Sequence, residues 1–321
     1  MKILITGAAG FLGTNLSLRL LNEGHEVIGV DNLYSGSERN LKQLENHSRF
    51  RFVRHDIRKP LERKTIGEVN QIYHLACPAS PPIYQKDHQF TFDSSVDGTR
   101  NALAFARENN AVMLFSSTSE VYGNPKKHPQ TEDYNGNVNP VGERSCYDEG
   151  KRAAETCCYI ASKTGVDVRI ARIFNTYGPF MDPKDGRVVS NFINQALRNE
   201  PITIYGDGSQ TRSFCYVSDL IEGLVKLMNH KKAHSEEDVF GPINLGNPDE
   251  FTVYELAKKV LGLIPDSKSK IDYFQLPSDD PVVRRPDISK AIKILGWEPK
   301  IRLDEGLERT IEYFKTLKEA E

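Results

Sequence analysis

Several features that would each settle the class of this chain are scarce or missing. Among 321 residues there are one tryptophan, four methionines and five cysteines. The cysteines (Cys77, Cys146, Cys157, Cys158, Cys215) show no C-x-x-C spacing and no histidine partner pattern, and the adjacent Cys157 and Cys158 are poorly placed to bond each other. Zinc ribbons and disulfide scaffolds are therefore set aside, and buried free thiols in a reducing, cytoplasmic setting are expected. Acidic and basic residues nearly cancel, with a formal net charge of -2. No global basic field exists to hold nucleic acid or an anionic membrane. No run approaches the roughly 18 apolar residues of a membrane span. The opening Met1–Gly7 turns glycine-rich too early for a signal peptide and reads as a strand. No internal repeat or metal-ligand cluster is visible, so no metal is expected. A small-molecule partner is left as the expectation.

What the chain does have is alternation. Short β-branched runs at Ile3–Thr6, Glu26–Asp31, Arg51–His55, Gln71–Leu75, Val112–Ser116 and Val166–Arg172 read as strands. Between them lie helical patterns such as Phe11–Asn22, with Leu12, Leu16 and Leu20 on one face and Gly24 as a stop, and Phe92–Asn109. This βαβ order predicts an α/β fold with a doubly wound parallel Rossmann sheet. Past Gly178 prolines and glycines break the pattern. A smaller C-terminal substrate-binding cap over 179–321 is predicted, with returns to the main sheet at about 213–246, including Ile243–Leu245. The tail from Leu303 to Glu321 reads as an amphipathic helix.

Gly7-Ala-Ala-Gly10-Phe-Leu-Gly13 follows a strand and opens a helix. Gly7 suits the tight turn, Gly10 the close approach of a pyrophosphate, and Gly13 the helix–strand contact, with Phe11 and Leu12 in the phosphate-facing first turn. Asp31 ends the second strand, 18 residues beyond Gly13. A carboxylate there accepts from a ribose diol and repels a 2′-phosphate, which predicts NAD rather than NADP. Asn32, Ser35 and Gly36 are placed to close over the adenosine, Asp56 and Ile57 to flank the adenine, and Leu75 and Ala76 to complete the cofactor contacts. Arg39 is open between a phosphate contact and a solvated surface charge.

Tyr147-Asp-Glu-Gly-Lys151 spaces a tyrosine and a lysine four apart, on one helix face. A lysine cation favours tyrosinate, which can take a proton from a hydroxyl whose carbon gives up hydride. With the glycine motif and the strand-end Ser116-Ser117-Thr118, this pair resembles the extended short-chain dehydrogenase/reductase family. In that family the residue matching Thr118 hydrogen-bonds the reacting hydroxyl.

Longer strings narrow the resemblance. Ser117-Thr-Ser119-Glu120-Val-Tyr-Gly123, Cys77-Pro78-Ala-Ser80-Pro-Pro82, Asn137 to Gly142 running into Arg144-Ser-Cys-Tyr147, Gly186 to Phe192, Tyr205 to Phe214, Arg284-Arg285-Pro-Asp287 and Gly296 to Pro299 are similar to the UDP-glucuronate decarboxylases over essentially the whole chain. The resemblance implies UDP-glucuronate as substrate and UDP-xylose as product. It implies oxidation at C4, loss of the C6 carboxylate from the resulting β-keto acid, protonation at C5 by Glu120, and return of the hydride from internally recycled NAD. Ser119, where sugar 4,6-dehydratases carry an acid, is read as a carboxylate contact. Pro78, Ser80, Tyr84, Asn175, Val188, Asn191, Tyr205 and Gln210 are implied to line the sugar nucleotide, and Arg212 and Arg285 to hold its diphosphate. Arg284 matches an arginine implicated as an acid or carboxylate partner in a related lipid-A-sugar decarboxylase. The helices of 92–109 and 145–163 resemble those that pair in homodimers of the family. The chain departs from the resembled pattern at Asp87–Asp93, where an Asn-Pro-x-Lys-Thr-like run is usual, and at Phe180, where an arginine is usual. Alternatives left open are a sugar 4-epimerase, a 4,6-dehydratase and, in another class, a non-catalytic NAD-binding regulator.

Overall fold

The computed structural model describes residues 1–230, 241–275 and 283–318. Its first part alternates as the periodicity predicts: β1 (Lys2–Thr6), α1 (Phe11–Asn22), β2 (Glu26–Asp31), α2 (Glu38–Glu45), β3 (Phe50–Arg54), α3 (Arg63–Ile66), β4 (Gln71–His74), α4 (Pro81–Tyr84), α5 (His88–Asn109), β5 (Val112–Thr118), α6 (Ser145–Lys163) and β6 (Val168–Ile173). Then follow β7 (Thr176–Tyr177), α7 (Val188–Arg198), β8 (Ile202–Tyr205), β9 (Thr211–Ser213), β10 (Cys215–Tyr216), α8 (Val217–Asn229), β11 (Ile243–Leu245), β12 (Glu250–Thr252), α9 (Val253–Leu263), β13 (Ile271–Phe274), β14 (Val283–Arg284), α10 (Ser289–Leu295) and α11 (Leu303–Lys318). The last three residues assigned to the tail helix, 319–321, lie outside the described residues.

Seven parallel strands form the main sheet in the order β11-β6-β5-β4-β1-β2-β3. Its inner strands, such as Ile3–Ile5 of β1 and Met113–Phe115 of β5, are buried on both faces. That is why they read as continuous apolar runs rather than alternating ones. Crossovers between parallel strands are right-handed as a rule and lay their helices on the sheet faces, and the strand order reverses beside β1 and β4. Ligands of such sheets bind at the strand C-termini near that reversal. Helices α5 and α6 pack lengthwise. A Cβ on Gly150 of α6 would come within 3.0 Å of Ser95 Cβ on α5, so glycine permits the close approach.

The cap holds a three-stranded sheet, order β12-β9-β14, and a β13–β8 pair. The expected return to the main sheet is present as α8 and β11, but it reaches further along the chain. Helix α10 packs on β11 and α8, and the buried Trp297 donates its indole N–H to Asp219 O at 2.8 Å. The Asp219 carboxylate in turn accepts the backbone N–H groups of Lys300 and Ile301, at 2.8 Å each. One apolar cluster runs from Ile3 through Leu220 to Phe314, so sheet and cap share a core. Among the described residues no helix is long and apolar enough to cross a membrane.

Candidate active site

A cavity of about 690 Å³ opens along the C-terminal edge of the sheet, between sheet and cap. Gly7, Gly10, Phe11, Leu12 and Gly13 line one end. Gly10 caps α1 with no side-chain hydrogen bond, and no acidic residue stands in the first turn. The orphan amides and the positive end of the helix dipole are thus left to an anion. Glycine is required here, because a Cβ on Gly13 would sit 2.0 Å from Gly7 O. Gly7 itself has φ of 74°.

Asp31 is buried at the end of β2. Its Oδ2 accepts the Ala9 N–H at 3.0 Å and its Oδ1 the Leu33 N–H at 2.8 Å. Burial pushes its pKa up while these amides pull against that rise. The carboxylate is thereby fixed with lone pairs to spare for a diol. Asn32, Ser35, Gly36, Ile57, Leu75 and Ala76 also line the cavity, as does Arg39. Capless amides, a glycine that tolerates no Cβ and an oriented acid at the second strand suit NAD. Asp56 does not join them. Its carboxylate accepts from its own turn at Arg58 N (3.0 Å) and grips the Arg58 guanidinium at 2.6 and 3.1 Å.

At the other end stand the reacting groups. Thr118 ends β5, Ser119 and Glu120 form the short turn beyond it, and Tyr147 and Lys151 project from α6. Burial raises the Tyr147 pKa well above its ordinary value and Cys77 adds to the rise, while a hydrogen bond from Thr118 and the cation of Arg187 favour the ionised form. Lys151 stands 5.8 Å from the Tyr147 ring centre, but its ammonium donates to Ser116 O at 2.8 Å. Burial lowers its pKa. In this arrangement Thr118 and Arg187, rather than the lysine, act directly on the phenol. Tyr84 lies parallel to Tyr147, with ring centres 5.0 Å apart. The Tyr84 hydroxyl and the Ser80 hydroxyl are both buried without a partner among the described residues. Both residues line the cavity, which makes them donors or acceptors in waiting for a polar ligand.

Glu120 is the centre of a charge cluster. Arg144 Nη2 donates to its Oε2 at 2.6 Å and Arg284 Nη2 at 3.3 Å. Burial alone would raise its pKa, but the guanidiniums of Arg284, Arg144 and Arg212 outweigh burial and hold it at about 2. The cluster follows from sheet register, since β14 pairs with β9 so that Arg284 lies opposite Arg212. Like charges placed opposite one another are unfavourable without an anion between them. Arg284 is 1% exposed. Among the described residues its Nε and Nη1 have no partner, while Nη2 also donates to Gly123 O at 3.0 Å.

Pro78, Asn175, Val188, Asn191, Tyr205, Gln210 and Arg212 line the cavity as expected, together with Phe180. Arg285 does not line it. Successive strand residues point to opposite faces, and its half-exposed side chain lies 3.8 Å from Glu250 instead. Sequence reasoning missed Arg144, Arg187 and Asp148, although each stands inside a string that carried the resemblance. Arg144 is three residues before Tyr147, and Arg187 is anchored on Asp185 by a 2.8 Å hydrogen bond. Asp148 is buried with an unpartnered Oδ1. Burial and the neighbouring Glu120 raise its pKa to about 8 against the pull of Arg144 and Arg284, which favours its protonated form.

Comparison with known proteins agrees with this geometry. The profile of the NAD dependent epimerase/dehydratase family matches residues 3–246. UDP-glucuronic acid decarboxylase 6 of Arabidopsis thaliana is 54% identical over 318 residues, covering 98% of this chain and 89% of that protein. UDP-glucuronic acid decarboxylase 1 of Danio rerio is 52% identical, covering 98% of this chain and 72% of that one. Among solved structures, UDP-glucuronic acid 4-epimerase from Bacillus cereus, in complex with UDP-glucuronic acid and NAD, superposes with a TM-score of 0.87. It is 31% identical and covers 99% of this chain and 100% of its own.

Proposed function

The chain belongs to the NAD dependent epimerase/dehydratase family, and we propose that it is a cytoplasmic, homodimeric UDP-glucuronate decarboxylase that yields UDP-xylose and carbon dioxide. One observation carries the choice of substrate. Arg144, Arg212 and Arg284 converge on a single carboxylate, Glu120, beside the Tyr147 phenol, and Arg284 keeps two buried donors unpaired. A second carboxylate balances that excess of positive charge, and guanidinium forks match its oxygens.

NAD would be held by the Gly7–Gly13 loop and Asp31, and would supply the acceptor and later the donor for the hydride of the sugar C4. Tyr147, whose ionised form Thr118 and Arg187 favour against the opposing pull of burial, is the group placed to take the C4 hydroxyl proton and return it in the last step. Arg284 holds the C6 carboxylate while the C5–C6 bond breaks, and its electron pair passes toward the C4 carbonyl. Protonation at C5 consumes one proton. Glu120 rests ionised, so it must be charged before it can deliver, and the neutral Asp148 in the same cluster is a reserve of one proton. Ser119 at the cavity wall cannot protonate a leaving hydroxyl as a dehydratase acid does.

The cytoplasmic setting is supported by five free cysteines. The dimer is supported by exposed apolar side chains on the paired helices, Phe92 on α5 and Tyr159 and Ile160 on α6. The deciding experiment is incubation with NAD and UDP-glucuronate, read by mass spectrometry. A UDP-pentose with loss of 44 mass units (roughly one carbon dioxide, balanced by the proton taken up at C5) is the expected product. An isomer of unchanged mass would replace the decarboxylase by a 4-epimerase.

A further inference from the structure

The adenosine end of the groove carries an arrangement that the catalytic reading does not use. Tyr34, on the loop after β2, stacks on Phe90 in the first turn of α5, with ring centres 4.0 Å apart and planes 22° from parallel. The Arg58 guanidinium, from the turn after β3, lies 4.3 Å from the Phe90 ring centre. Asp56 holds that guanidinium in place through two of its nitrogens. Tyr34 and Phe90 both line the cavity.

Topology says what this stack spans. In the sheet β1 lies between β4 and β2, and the glycine loop follows β1. Tyr34 comes from the β2 side and Phe90 from the helix that follows β4. Their contact therefore bridges the two flanks of the groove in which the dinucleotide phosphates and the Asp31-bound ribose belong. Arg58 sets a cation over the Phe90 ring and is clamped there by Asp56.

We propose that Tyr34, Phe90 and Arg58 form a strap across the adenosine end of the groove that retains NAD between and during turnovers. Asp56, expected to touch adenine, acts instead by positioning Arg58. Retention matters for a reaction in which the hydride leaves and returns within one cycle, because a cofactor lost midway strands the oxidised sugar. The strap must open for dinucleotide to enter, so entry and release slow together.

The inference rests on the NAD-binding reading of the groove and not on the identity of the sugar, so it is tested without sugar. NAD is loaded onto the parent protein and onto Phe90→Ala and Tyr34→Ala. Release is followed by chasing with excess unlabelled NAD after loading with radiolabelled NAD. Tyr34 is 37% exposed, so its replacement leaves the core intact even if Phe90→Ala folds poorly. Loss of an aromatic pair and of the cation stacked on it corresponds to roughly ten- to a hundredfold faster release. Arg58→Gln and Asp56→Asn are expected to give smaller accelerations, since the first removes the cation and the second its clamp. Release within twofold of the parent from a folded Tyr34→Ala protein overturns the proposal. So does a parent that loses NAD as fast as the variants. Failure to decarboxylate UDP-glucuronate would leave the strap untouched and would count only against the proposed reaction.

Discussion

Replacing Arg284 by methionine removes the charge while keeping most of the volume. The guanidinium offers two unpaired buried donors to the sugar carboxylate. Each charge-assisted hydrogen bond is worth about 1.5–3 kcal/mol. Two of them amount to about 3–6 kcal/mol, or roughly 10²- to 10⁴-fold in kcat/KM. The fold suffers less. Glu120 keeps Arg144 at 2.6 Å, so no buried anion is left alone, which avoids most of the roughly 3–5 kcal/mol that follows when a buried charge loses its only partner. The Gly123 carbonyl loses its 3.0 Å donor, a cost of about 1–3 kcal/mol. The assay is chromatographic measurement of UDP-xylose formation, with kcat and KM separated, alongside thermal unfolding and inhibition by UDP. UDP has no carboxylate, so its inhibition constant should hardly move. A variant that keeps kcat/KM within fivefold, or that weakens UDP and UDP-glucuronate equally, refutes the assignment of Arg284 to the carboxylate.

Further outcomes follow from the same geometry. Gly13→Ala forces a Cβ to 2.0 Å from Gly7 O and 2.8 Å from Ala8 Cα. Loss of NAD binding in calorimetry is expected, with destabilisation of about 1–3 kcal/mol. Asp148 holds its proton below about pH 8, so turnover should fall as pH rises through that value. Asp148→Asn should lower kcat at neutral pH by about tenfold or more and flatten the alkaline limb, and an unchanged limb would remove Asp148 from proton delivery. His74 is buried between the Thr6 and Thr99 hydroxyls, at 2.8 and 3.2 Å. Burial, helped by Lys151, lowers its pKa to about 3. Its folded-state pKa lies below the unfolded value, so its contribution is complete above about pH 6.5 and is lost as pH falls toward 3. Between pH 4.5 and 6, denaturant unfolding of the parent should lose up to about 1.4 kcal/mol per pH unit more than His74→Gln.

The chain spelled out whatever depends on neighbours in sequence. The glycine loop, Asp31 at the end of β2 and the four-residue spacing of Tyr147 and Lys151 are local patterns, set by backbone conformation, strand length and helical pitch. Short continuous apolar runs likewise announced the six leading strands of the parallel sheet. Other features depended on pairing between distant segments. Arg144, Arg212 and Arg284 are separated by 68 and 72 residues, and only the β14–β9 register and the α6 N-terminus bring them to Glu120. That convergence, rather than the residue's type, holds the Glu120 pKa down, while burial and Glu120 raise that of Asp148 against the same arginines, because burial and neighbouring charge set a pKa. Register also turned Arg285 away from the cavity beside its inward neighbour. Spacing put Asp56 just after β3, but only the folded turn shows its carboxylate engaged by Arg58 two residues on. Spacing along a chain reveals which residues share a helix face or a turn, and tertiary packing decides which charges meet across strands.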